Sequence, residues 1–119
     1  FLSSKLGRRL SSSDNIVREK DFIMELPAKE IYKELNDPIY KDEMVLVQGI
    51  IDCFFYEGQD IILIDYKTDK CDKNNKNIIE NRYKSQLNFY KMAIEKMTNK
   101  KVKEKYLYLF SIDEALKVE

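Results

Sequence analysis

The sequence predicts an α/β domain with a mixed central sheet flanked by helices. Two long apolar runs, Val45 to Phe55 and Ile61 to Lys67, read as strands. Between Arg82 and about Thr98, Tyr83, Leu87, Tyr90, Ile94 and Met97 recur at alternating spacings of four and three, which is the period of one helix face. Tyr106 to Phe110 then reads as another strand. Strands followed by a helix and a further strand give an α/β layer with a mixed sheet.

The remaining elements follow in chain order. Phe1 to about Ser12 carries Leu2, Leu6 and Leu10 at helical spacing and runs into the polar loop Ser11-Ser12-Ser13-Asp14-Asn15. Ile16 to Leu26 is expected as a strand, built on Ile16, Val17, Phe22, Ile23, Met24 and Leu26 and interrupted by Arg18-Glu19-Lys20-Asp21. Pro27 to Leu35 is expected as a short helix with proline in its first turn. Asp69 to about Asn81 is polar and expected as a loop, and Ala115 to Val118 as a short edge strand.

Composition bounds the answer. A chain of 119 residues, 44% hydrophobic and 35% charged, is expected as one domain with a single core. Lys+Arg and Asp+Glu number 21 each, so any binding of nucleic acid has to come from a local patch or a neighbouring domain. The apolar runs are far short of a membrane span and no signal peptide is visible, so a cytoplasmic location with no membrane partner is expected. The chain starts at Phe1 rather than Met and reads as a piece of a longer polypeptide. It has no histidine, which excludes histidine triads, HExxH zinc sites and a histidine general base within it. Cys53 and Cys71 are too few and too far apart for a four-cysteine cluster, and read as reduced thiols.

The chemistry is concentrated in one hairpin. On a strand, Asp65 and Lys67 share a face and Tyr66 takes the other. The turn Glu57-Gly58-Gln59-Asp60 places glycine where a type II′ turn needs it. A two-residue loop there pairs Glu57 with Asp60 and, further along, Asp52 with Asp65. The two carboxylates would then face each other with Cβ atoms roughly 4.5–5.5 Å apart. Like charges in apolar strands repel and lose hydration. A Mg²⁺ or Mn²⁺ ion relieves both, since such ions take one or two carboxylates together with waters and substrate phosphate. The backbone carbonyl of Tyr66 is a further candidate ligand. The plainer alternatives are an aspartate at a strand end and a structural Lys67 salt bridge.

This set suits phosphodiester hydrolysis. A metal makes bound water nucleophilic and polarises the phosphate. Lys67 can hold that water or balance developing charge. Gln86 and Tyr90 lie one helical turn apart on one face, where Gln86 can orient water or phosphate and Tyr90 can bond the phosphate backbone; otherwise Tyr90 is core and Gln86 boundary. Glu19, with Asp21 on the same face, can lean into the site or line a solvated edge. Lys70, Lys73 and Lys76 read as solvated, or as strand contacts beside the site.

Gly49-Ile50-Ile51-Asp52, Asp65-Tyr66-Lys67-Thr68 and Gln86-Leu87-Asn88-Phe89-Tyr90 together resemble the RecB-family nucleases of the PD-(D/E)XK superfamily. Val47 to Asp52, Asp65 to Asp69 and Lys105 to Ser111 resemble more narrowly the C-terminal nuclease domains of AddA-type chains of ATP-dependent helicase–nucleases. The resemblance implies a restriction-endonuclease-like fold over residues 1–119, as one domain of a larger chain. It implies Mg²⁺-dependent cleavage of single-stranded DNA as double-strand ends are unwound, feeding recombinational repair. The implied partners are DNA ends, helicase domains of the same chain and an AddB-like subunit that carries the iron–sulfur cluster. By position, Asp52 and Asp65 match metal ligands, Lys67 the catalytic lysine, Gln86 and Tyr90 the Q-x-x-x-Y motif, and Glu19 an earlier acidic residue. The family's upstream histidine has no counterpart here and is expected before Phe1, so an isolated piece is expected to cleave poorly or not at all.

Two rivals stay open. A stand-alone RecB-like or Cas4-like exonuclease is the nearest, although Cas4-like proteins usually carry cluster cysteines. A catalytically silent fold that guides DNA or scaffolds a partner is the other, and it has no need of opposed carboxylates.

Overall fold

A computed structural model describes residues 4–27, 43–70 and 74–118. The elements are α1 (Lys5–Ser11), β1 (Ile16–Pro27), β2 (Met44–Glu57), β3 (Asp60–Lys67), α2 (Lys76–Thr98), β4 (Val102–Leu109) and β5 (Glu114–Val118). The strands form one five-stranded sheet in the order β1-β2-β3-β4-β5. β2 and β3 are antiparallel, β3 and β4 parallel, and β4 and β5 antiparallel, so the sheet is mixed, as expected. The expected helix from Pro27 to Leu35 falls almost wholly outside the described residues, with Pro27 itself closing β1.

The chain divides into two compact units, Phe1–Lys20 with Ile51–Glu119, and Asp21–Ile50. In the first, Ile61 to Ile64 are buried without alternation, because β3 is covered on both faces. One face packs Ile62, Ile64, Cys53, Phe55 and Tyr108 against Leu6 and Leu10 of α1. By strand alternation Phe54, Leu63, Asp65, Lys67, Leu107 and Leu109 share the opposite face. That face meets α2, whose buried residues are Ile79, Leu87, Tyr90, Ala93 and Ile94. Arg9 clips α1 to the sheet, with Nε and Nη2 each donating to the Glu57 carboxylate at 2.8 Å and Nη2 also to Glu104 at 2.6 Å. In the second unit, Phe22, Met24 and Leu26 are buried, while Ile23, Met44, Leu46 and Ile50 are exposed.

The β2–β3 turn is the expected two-residue loop. Glu57 pairs with Asp60, and Gly58 sits at φ +62, left-handed backbone that an L side chain rarely adopts. α2 begins at Lys76, earlier than the predicted Arg82, because Ile79 is buried although the residues before Arg82 show no apolar period. Its far end is a left-handed Asn99 at φ +57, whose N–H donates to the Glu95 carbonyl at 2.9 Å. Met97, read as part of the apolar stripe, is exposed. β4 starts at Val102, before the predicted Tyr106. Among the described residues no helix is long and apolar enough to cross a membrane.

Candidate active site

The site lies where the β2–β3 ladder ends. The register set by the turn, Glu57 with Asp60 through Cys53 with Ile64, places Asp52 opposite Asp65 one step further. There a side chain takes over from backbone pairing: Tyr66 N–H donates to Asp52 Oδ2 at 3.0 Å. The N–H and C=O of a strand residue leave on the same edge. The Tyr66 carbonyl therefore also faces the Asp52 side.

Asp65 is a buried charged residue, 2% exposed. Burial first, and then the facing Asp52 carboxylate, push its carboxyl up to about 7 from an ordinary 3.8, while the Lys67 ammonium works against both. Lys67 Nζ lies 2.9 Å from Asp65 Oδ2. Its hydrogen bond goes elsewhere, to Gln86 Oε1 at 2.8 Å, and Asp65 Oδ2 has no hydrogen-bond partner among the described residues. The Lys67–Asp65 contact is thus an attraction between charges, off the hydrogen-bonding direction.

α2 supplies the wall. Tyr83, Gln86 and Tyr90 lie at i, i+3 and i+7 and so share a face. Tyr90 is buried, and burial together with the charges of Asp65 and Asp52 raises its phenol above the usual value. The Tyr83 ring lies under Lys67, with Nζ 4.1 Å from its centroid. The Tyr83 hydroxyl donates to the Asp69 carboxylate, 2.9 Å from each oxygen, and Arg82 Nη1 donates to Asp69 Oδ2 at 2.8 Å.

Of the predicted residues, Asp52, Asp65, Tyr66, Lys67, Gln86 and Tyr90 come together. Glu19 is exposed on β1 at φ +50, and no described hydrogen bond or ion pair joins it to them. Lys76 pairs with Glu114, while Lys73 and Cys71 lie outside the described residues. Cys53 is a buried free thiol, pushed up by burial, which suits packing rather than reactivity. Sequence reading missed Tyr83 and Asp69 as parts of the site. Tyr83 passed as one more apolar stripe residue, and only its spacing of three from Gln86 hinted at a shared face.

Among the described residues no group of three or more His, Cys, Asp or Glu side chains converges as a metal cage. The pair still fits a divalent ion of the Mg²⁺ kind, which binds through one or two carboxylates and completes its shell with waters and phosphate oxygens. The observation that favours this is the buried Asp65, whose ionised form is opposed by the carboxylate in front of it.

The family profile of the PD-(D/E)XK nuclease superfamily matches residues 3–118. The A subunit of the ATP-dependent helicase/nuclease of Clostridium botulinum (strain Loch Maree / Type A3) is 50% identical over 119 residues, covering 100% of this chain. The protein of the same name from C. botulinum strain Hall is 47% identical over the same 119 residues. That of Clostridium kluyveri is 50% identical over 113 residues, or 95% of this chain. In each case the chain spans 9% of the relative's length.

Proposed function

Because this chain belongs to the PD-(D/E)XK nuclease superfamily, we propose that it is the DNA-cleaving domain of an AddA-type helicase–nuclease that is driven by ATP. The proposed reaction is hydrolysis of single-stranded DNA during double-strand break repair and recombination. The proposed setting is cytoplasmic, and the proposed partners are helicase domains in the same chain and an AddB-like subunit. One observation carries the catalytic part: a buried carboxylate that faces a second carboxylate and lies 2.9 Å from an ammonium.

Superfamily members generally use divalent metal ions, and Mg²⁺ is the ion proposed here, with Mn²⁺ able to substitute. Asp52, Asp65 and the Tyr66 carbonyl would hold it. Bound there, it would supply a water of lowered pKa and polarise the phosphate. Asp52 binds Tyr66 N–H with one oxygen, which fixes the spacing between the two strand ends. Lys67 presents a compact cation to the non-bridging oxygens, where negative charge grows as water attacks phosphorus and the P–O bond to the departing strand breaks. Gln86 accepts a hydrogen bond from the Lys67 ammonium and so sets its direction. Tyr90 encloses the acids from α2 and helps keep bulk water out. Glu19 enters this reading only through the resemblance.

The test is cleavage of end-labelled single-stranded DNA by the full-length protein with its partner subunit, with and without Mg²⁺. Asp65→Ala and Lys67→Ala are expected to abolish the cut assigned to this domain. Unchanged cutting by both variants would sink the reading.

A further inference from the structure

We propose that Tyr83 is a positioning residue for Lys67, and that Asp69 sets Tyr83 for this task. The inference rests on the reading of Lys67 as a group that acts on the phosphodiester. The Lys67 ammonium meets three partners: the Asp65 carboxylate at 2.9 Å, Gln86 Oε1 at 2.8 Å and the Tyr83 ring face at 4.1 Å. Asp65 pulls the ammonium toward the acids and Gln86 draws it toward α2. Gln86 takes one N–H donor, whereas the ring supports the ammonium from its face and takes none. A π face attracts a cation yet leaves those donors free for an oxygen that arrives later.

The ring itself is held. Its hydroxyl bridges both Asp69 oxygens at 2.9 Å, and Arg82 secures the same carboxylate from the neighbouring helix position at 2.8 Å. Asp69 lies two residues past Lys67 on the segment leaving β3. The latch therefore joins the exit of the lysine-bearing strand to the first half of α2, where Gln86 follows one turn on. Donation of the phenol proton toward a carboxylate also enriches the ring in electron density, which strengthens its hold on the ammonium. Asp69 and Tyr83 thus act on Lys67 as one unit.

The experiment measures kcat and KM for single-stranded DNA, in the presence of Mg²⁺, using the full-length protein with its partner subunit. The variants are Tyr83→Leu, Tyr83→Phe, Asp69→Asn, the Phe/Asn double variant and Lys67→Ala. Tyr83→Leu is expected to lower kcat about tenfold with KM within about twofold, the size of a cation–π contact of moderate strength. Tyr83→Phe keeps the ring and should lose only about twofold to threefold. Asp69→Asn should match it, and the double variant should lose no more than either, because the pair acts as one unit. Equal kcat losses in Tyr83→Phe and Tyr83→Leu that follow equal falls in Tm would overturn the proposal in favour of a merely structural latch. So would a Tyr83→Leu variant with unchanged kcat while Lys67→Ala is inactive. If Lys67→Ala itself cuts at the normal rate, the underlying nuclease reading fails and takes this proposal with it.

Discussion

The carboxylate of Asp52 accepts the backbone N–H of Tyr66 at 3.0 Å, so a side chain replaces main-chain pairing at the mouth of the hairpin. One aspartate is thereby both a structural acceptor and one of two facing acids. The two duties are separable. Asp52→Asn keeps an acceptor oxygen, and is expected to hold its urea midpoint while losing Mn²⁺ binding by calorimetry. Asp52→Ala removes the acceptor as well and should cost about 1–3 kcal/mol, the penalty for stranding a partly buried donor. Equal Mn²⁺ binding by Asp52→Asn and the wild type would remove Asp52 from the metal site.

The elevated Asp65 carboxyl makes a prediction about pH. Its folded value, about 7, lies above the ordinary 3.8, so between these limits the native state holds a proton the unfolded chain has released. Stability then falls as pH rises through this window. Urea unfolding at pH 5, 6, 7 and 8 should show this decline, and Asp65→Asn should flatten it. An unchanged slope in Asp65→Asn would mean that another group is responsible.

Metal and proton compete for the same carboxylate. Mn²⁺ affinity is expected to climb with pH up to about 7 and to level off above it, with protons released on binding below that point. Calorimetry in two buffers of different ionisation enthalpy reads the proton count directly. Affinity that is flat from pH 5 to pH 8 contradicts a site built on Asp65.

The Lys67 ammonium is a compact cation with three donors, one of which it gives to Gln86 Oε1 at 2.8 Å. Lys67→Arg keeps the charge but spreads it over a planar fork. It is expected to recover little of the activity lost in Lys67→Ala, a loss of at least about 10²–10³ in kcat, the floor set by removing one preorganised donor. Single-turnover cleavage separates this from a change in DNA binding.

Gly58 tests the turn that sets the register. A Cβ there meets nothing within 4 Å, so the cost of Gly58→Ala comes from backbone at φ +62 alone. About 1–2 kcal/mol is expected, read as a lower urea midpoint with an unchanged slope.

How much was legible in the sequence follows from how far apart the cooperating residues are. The hairpin is local. One glycine in a two-residue loop sets the register, and strand alternation then places Asp65 and Lys67 together and Tyr66 opposite. The face of α2 was legible as a period, which put Gln86 and Tyr90 on one side. Its start was not, because Ile79 is buried by the sheet rather than marked by any repeat. Nor could periodicity distinguish Tyr83 as packing from Tyr83 as a platform for Lys67.

The sequence by itself determined which groups are available: two opposed carboxylates, a lysine two residues on, and a polar residue on an apolar helix face. The tertiary structure alone decided how they are arranged. It buries Asp65 deeply enough to raise its carboxyl, and it turns α2 so that Gln86 and Tyr83 both reach one ammonium. Local pattern specifies which face an element presents. Burial and helix orientation depend on packing across the whole core, which no short window of sequence contains.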